Sequence, residues 1–138
     1  MKPCYMLDTN ICLYLMKNQP LEVGRRFSEC FAGEVVISSI TLAELEYGLL
    51  CSPDSIEQNR NALKALMEDL VVVPFDELSA KAYGPVRLST KGRIRDALDK
   101  LIASHALALG VVLVTNNEED FLGIPGLLVE NWVKGPDH

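Results

Sequence analysis

Four short apolar runs recur along the chain: CYMLD at 4–8, EVVISSI at 34–40, VVVPF at 71–75 and VVLVTNN at 111–117. The segments between them carry helical spacing, and strands alternating with helices indicate an α/β fold built on a mainly parallel sheet. VVLVTNN is apolar at nearly every early position, as expected of a strand buried on both faces. GLLVENW at 126–132 is expected to add a last edge strand, and EEDF at 118–121 a single helical turn.

The helical segments carry their own start and stop signals. Helices are expected from Thr9 or Asn10, over 21–31 with a stop near Gly33, over 41–51 with Leu42, Leu45 and Leu49 on one stripe, and over 55–70 after Ser52, Pro53 and Asp54. Asp76 can cap the helix at 77–90, which Gly84 and Pro85 should bend or break in two. DALDKLIASHALALG at 96–110 is the clearest helix, with Leu98, Leu101, Ile102, His105 and Leu109 along one side and Gly110 as its C-cap. No internal repeat, low-complexity tract or linker interrupts the pattern, so the 138 residues read as one domain, 1–138.

Composition narrows the function classes. Apolar residues make up 49% of the chain, a globular balance. No apolar run approaches the roughly 18 to 20 residues that span a bilayer, and the start MKPCYMLDTN does not read as a secretory signal. A soluble, cytoplasmic protein is expected, with no membrane partner. Cys4, Cys12, Cys30 and Cys51 form neither a C-x-x-C pair nor a zinc-like pattern with His, and read as small apolar fillers. The net charge of -6 argues against general coating of DNA or RNA. It leaves a nuclease open, because acids gathered on a cation cease to repel phosphate. Arg87, Lys91, Arg93, Arg95 and Lys100 crowd one stretch, either as a solvated face or as a phosphate-binding rim.

In an open parallel sheet the strand C-terminal ends and the following helix N-termini share one edge, where chemistry gathers. Asp8 closes the first run, Glu44 lies in the first turn or so of the helix after the second, and Asp96 and Asp99 open the long helix. Asn117, Glu118, Glu119 and Asp120 follow the end of the fourth run. Each has a plain reading as a cap, a turn former or a solvated acid. Together they suggest converging carboxylates, which repel one another unless a cation is present. Mg²⁺, a hard ion that takes carboxylate, water and phosphate oxygens, fits such a site, and the chemistry implied is phosphodiester hydrolysis.

MLDTN at 6–10, TLAELEYG at 41–48, DALDKLIASHALALG at 96–110, VVLVTNNEEDF at 111–121 and PGLLVENW at 125–132 occur in an order and spacing that resemble the PIN-domain family, in its VapC toxin branch. The resemblance implies a twisted, mainly parallel sheet of about five strands with helices on both faces. It implies a Mg²⁺- or Mn²⁺-dependent endoribonuclease acting on structured RNA such as tRNA, the toxin half of a type II toxin–antitoxin pair. A VapB-like antitoxin, a homodimer, and contact with operator DNA only through the antitoxin complex are implied with it. Asp8, Glu44 and Asp99 match the family's acids and are the expected metal ligands. The fourth acidic position is Asn117 here, so its catalytic role is expected to pass to Asp120, or Asn117 contacts the metal through its carbonyl or a water. Thr9, Asn10, Asp96, Thr115 and Asn117 are expected to orient the carboxylates. Arg87, Lys91, Arg93 and Arg95 are expected to hold the RNA backbone, and His105 is expected to pack rather than act as a base.

Three rivals remain. A haloacid-dehalogenase phosphatase needs a second Asp where this chain has Asn10. A receiver domain needs paired acids at its start and a lysine after a late strand, and VTNNEEDF has none. A non-catalytic PIN-like protein that binds RNA or a partner would be expected to have lost acids that are present here.

Overall fold

The computed structural model describes residues 2–92 and 97–134. Five parallel strands, β1 (Tyr5–Leu7), β2 (Val35–Ser38), β3 (Val71–Val73), β4 (Val112–Val114) and β5 (Val129–Glu130), form one sheet in the order β3-β2-β1-β4-β5. β1 therefore sits at the centre, in register with Val35 of β2 and Val112 of β4 at Tyr5. The strand order reverses direction around β1, which opens a crevice at its C-terminal end.

Period-two alternation divides the sheet into two faces. Leu7, Val35, Ile37 and Val114 face a core shared with Ile11, Val23, Leu45 and Leu63, while Met6, Val36 and Leu113 face Val86, Ile102, Ala103 and Ala106. The first face is covered by α1 (Thr9–Lys17), α2 (Leu21–Ser28), α3 (Ser39–Leu50) and α4 (Ile56–Met67). α5 (Glu77–Ser89) and α6 (Ala97–Leu109) lie against the second. Each fully buried Leu, Ile or Met side chain in these layers stabilises the fold by roughly 1.5–3 kcal/mol. No helix among the described residues is long and apolar enough to cross a membrane.

Several local expectations are modified. α5 runs unbroken through Pro85. Buried Val86 holds this stretch on the second face, and its carbonyl accepts from both the N–H and the hydroxyl of Thr90, at 3.1 and 2.9 Å. α6 is not a one-sided stripe: the five consecutive residues Ile102 to Ala106 are all buried, because the helix is enclosed by α5, α3 and β4. It ends as expected at Gly110, whose φ of +75° suits the left-handed C-cap. The expected helix at 55–70 opens with a 3-10 turn, Pro53–Ser55, before α4. α2 stops at Ser28, short of Phe31. β5 keeps only two paired residues, and Trp132 beyond it is fully buried. Among the cysteines Cys12 is a core filler, but Cys51 is exposed.

Candidate active site at the end of the central strand

Asp8 follows β1 directly. Its backbone N–H donates to the Val114 carbonyl at 3.0 Å, so the main chain of the neighbouring strand fixes where the side chain starts. Its carboxylate caps α1, with Oδ1 accepting from the Ile11 N–H at 3.0 Å. Capping and burial coincide, since Asp8 is only 5% exposed. Burial raises its carboxyl above the ordinary value and the charge of Glu44 adds to the rise, against hydrogen bonds from the Thr115 hydroxyl and the N–H groups of Ile11 and Asn10.

Glu44 reaches this carboxylate from α3. Because Ser38 caps that helix and Ser39 opens it, Glu44 stands in the second turn rather than the first. The Thr9 hydroxyl donates to Glu44 Oε1 at 2.7 Å, tying α1 to α3 across the crevice. Thr115, fully buried at the end of β4, donates to Asp8 and accepts from the Asn117 N–H at 2.9 Å. Asp8, Thr9, Glu44 and Thr115 thus form one connected group. Asn10, in the first turn of α1, is exposed and contributes its backbone N–H.

The other acids stand beside it. Asp99 in the first turn of α6 and Asp120 in the 3-10 turn Glu118–Phe121 line one narrow slot, together with Thr90, Lys100 and Phe121. Asp120 is linked back to the first group through its N–H, which donates to the Asn117 carbonyl at 3.0 Å. Asn117 itself is exposed. Among the described residues no three His, Cys, Asp or Glu side chains lie close enough to make a ready ligand set. Asp8 and Glu44 form one acidic pair at the sheet edge, and Asp99 and Asp120 border a separate slot. The repulsion that Glu44 exerts on a desolvated Asp8 is what a divalent cation relieves, and two carboxylates plus water and phosphate oxygens are a usual Mg²⁺ donor set. The residues present therefore fit such an ion.

Arg87 and Lys91 are exposed at the end of α5 and just past it. Arg93, Arg95 and Asp96 lie outside the described residues. His105 is packed, as expected: Nδ1 lies 2.8 Å from Ser38 Oγ, the ring meets Phe75 edge-on at 5.5 Å, and burial lowers its pKa, favouring the neutral form. A polar web that no periodicity in the sequence announces braces the 115–120 loop. Asn116 donates to the Tyr14 hydroxyl at 3.2 Å, Asn131 donates to Asn116 at 3.1 Å, and Lys134 pairs with Glu118 at 3.0 Å. The cluster of amides in TNNEED and again at Asn131 was its only trace in the sequence.

The chain is similar along most of its length to several known proteins. Residues 5–127 match the PIN domain family. The chain is 42% identical over 134 residues to Ribonuclease VapC2 of Rickettsia felis, covering 94% of this chain and 98% of that one. It is 38% identical over 130 residues to the tRNA(fMet)-specific endonuclease VapC of Shigella flexneri, covering 93% and 97%. Among solved structures, VapBC2 from Rickettsia felis bound to a DNA fragment from their promoter superposes with a TM-score of 0.84 at 39% identity, covering 94% of this chain and 98% of that chain. DNA-bound VapBC from Salmonella typhimurium gives 0.85 at 37% identity, with the same coverage.

Proposed function

This chain belongs to the PIN-domain family, among its VapC ribonucleases, and on that premise we propose how its own residues cut RNA. The observation that carries the reading is the buried Asp8 carboxylate at the end of the central strand, coupled to Glu44 and held by Thr115. Nucleases of this family are generally dependent on a divalent metal; here Asp8 and Glu44 would hold Mg²⁺, with Asp99 drawn in from the neighbouring slot as the third ligand and Mn²⁺ as a substitute. When bound, the ion neutralises phosphate charge and acidifies a water for in-line attack.

The remaining work falls to the protein. Thr9 fixes the rotamer of Glu44, and Thr115 fixes that of Asp8, so both carboxylates present oxygens to the crevice without reorganising. Asp120 completes the acidic edge where the family's fourth acid is Asn117 here, and Asn117, Asn10 and Asp96 orient their neighbours. Arg87, Lys91, Arg93 and Arg95 draw the RNA backbone towards that edge. His105 takes no part in proton transfer.

In the cell we place this domain, residues 1–138, as the toxin of a type II toxin–antitoxin pair acting in the cytoplasm on structured RNA, with tRNA as the leading substrate. The similarity to a tRNA(fMet)-specific endonuclease and to VapBC complexes bound to DNA supports that placement. A VapB-like antitoxin neutralises it, operator DNA is met through that complex, and the toxin is a homodimer.

Cleavage of a total tRNA pool in Mg²⁺ tests the reading, with Asp8→Asn, Asp99→Asn and EDTA as controls. Discrete fragments from the unmodified protein alone are expected, with losses of at least about a hundredfold in the variants. Intact tRNA from a folded protein that still binds it would move the chain to the non-catalytic reading.

A further inference from the structure

We propose that the recess bounded by α1, α3 and α4, which abuts Glu44, receives a nucleobase of the RNA next to the bond that is cut. This inference rests on the nuclease reading and adds a specificity pocket to it. The recess encloses about 220 Å³ and is bordered by Thr9 and Glu44, the hydrogen-bonded pair of the acidic group. Whatever occupies it is therefore contiguous with the reacting phosphate. It is smaller than the roughly 300–1,000 Å³ of sites that take drug-sized ligands. One ring system suits it better than a folded element.

The lining has the two characters a base requires. The half-buried Leu13 and Met16 from α1 provide the aliphatic surface for the ring faces, over a floor of buried Leu45 and Leu49 from α3 that belongs to the core and keeps the recess preformed. Asn59 from α4 supplies an amide that can both donate and accept at a base edge. Lys17, exposed at the end of α1, supplies the charge that a flanking phosphate needs. RNA recognised in loops offers unstacked bases for such pockets. Of the larger recesses, the one of about 490 Å³ lined by Phe27, Phe31 and Val71 lies at the opposite, N-terminal ends of β2 and β3, away from Asp8, and the one of about 560 Å³ beside Asn10 and Tyr14 is not bordered by Glu44.

Gly48 lines the recess in mid-helix, and a Cβ built there meets nothing within 4 Å. Gly48→Leu starts from a Cβ that the site accommodates, adds bulk at the wall of the recess and favours the helix. The cut bond is first mapped in a tRNA pool, and stem-loop substrates are then made with an abasic ribonucleotide on either side of it. With the unmodified protein, one of the two abasic substrates is expected to lose roughly tenfold in kcat/KM, mainly through KM. Gly48→Leu should lose a similar factor on the intact substrate and nothing further on that abasic one. Gly84→Ala, a helical glycine on α5, serves as a control with unchanged cleavage.

Equal cleavage of both abasic substrates and the intact one by the unmodified protein overturns the proposal without recourse to any variant. So does a Gly48→Leu protein that melts normally and cleaves the intact substrate as fast as before, an outcome that would leave the recess to a protein segment. In both cases the nuclease reading stands. An unmodified chain that cuts no tRNA in Mg²⁺ or Mn²⁺ brings down that reading, and the base pocket with it.

Discussion

Replacing Asp8 by asparagine exchanges one carboxylate oxygen for an amide and leaves the cap on α1 in place, since Asn caps helices as well as Asp does. What it removes is a charge that burial, followed by the repulsion of Glu44, makes costly. The sign follows from the raised carboxyl. A group titrating higher in the folded chain than its ordinary value of 3.8 contributes stability that is complete below that value and is lost as pH rises through the folded one. At neutral pH the ionised Asp8 therefore weakens the fold that it serves. Asp8→Asn should abolish cleavage and melt at a higher temperature than the parent at pH 7, with the gap closing towards pH 4. A lower melting temperature at pH 7 would mean that the hydrogen bonds from Thr115, Ile11 and Asn10 outweigh burial. The same pair of proteins reports on the cation. Mg²⁺ at about a hundred times its dissociation constant should stabilise the parent by about 2.7 kcal/mol and leave Asp8→Asn unmoved, read by melting with and without EDTA.

Strands and helices were more legible than their ends. Short apolar runs closed by polar residues located the inner strands β1, β2 and β4, because a strand buried on both faces must be apolar throughout, whereas β3, closed by Pro74, is an edge strand whose Val71 is exposed. The same logic placed Asp8 and Thr115 at one edge, where the Thr115 hydroxyl donates to the Asp8 carboxylate. Side-chain links between distant segments carried no such periodic signal. The pairing of Thr9 with Glu44 and the brace from Asn116 to Tyr14 join residues 35 and 102 positions apart, and only the fold decides those. Trp132 is the clearest case at the level of elements. Placed on an expected edge strand, it is instead fully buried beyond β5, edge-on to Tyr5 at 5.3 Å, with the Arg26 guanidinium 5.3 Å over its ring. Glu130 accepts from both the indole Nε1–H at 3.1 Å and Arg26 at 2.9 Å. One residue thus pins α2, β1 and β5 together. Trp132→Ala should cost about 3–5 kcal/mol in urea unfolding, whereas Arg26→Ala, which removes a half-exposed ion pair, should cost about 1 kcal/mol or less. Comparable losses from the two would shift the weight of this junction from packing to charge.

For the molecule as a whole, a chain with net charge -6 must approach a polyanion. Two effects of salt then oppose each other. Screening the general repulsion would make RNA binding improve as salt is added. Release of counterions from phosphates held by particular cations would make it worsen, by about 0.7 in log K per log salt for each contact to a single strand. If Arg87 and Lys91 form part of a phosphate rim, affinity for tRNA measured with the uncleaving Asp99→Asn protein should fall with salt. The double substitution Arg87→Ala with Lys91→Ala should then flatten the slope by roughly 1.4. If these side chains are only a solvated face, the substitution leaves the slope where it was, while its more negative net charge weakens binding most at low salt. The slope thus separates the two readings even where affinity alone does not: a rim changes how many counterions leave, whereas a diffuse charge changes only how strongly the two surfaces repel.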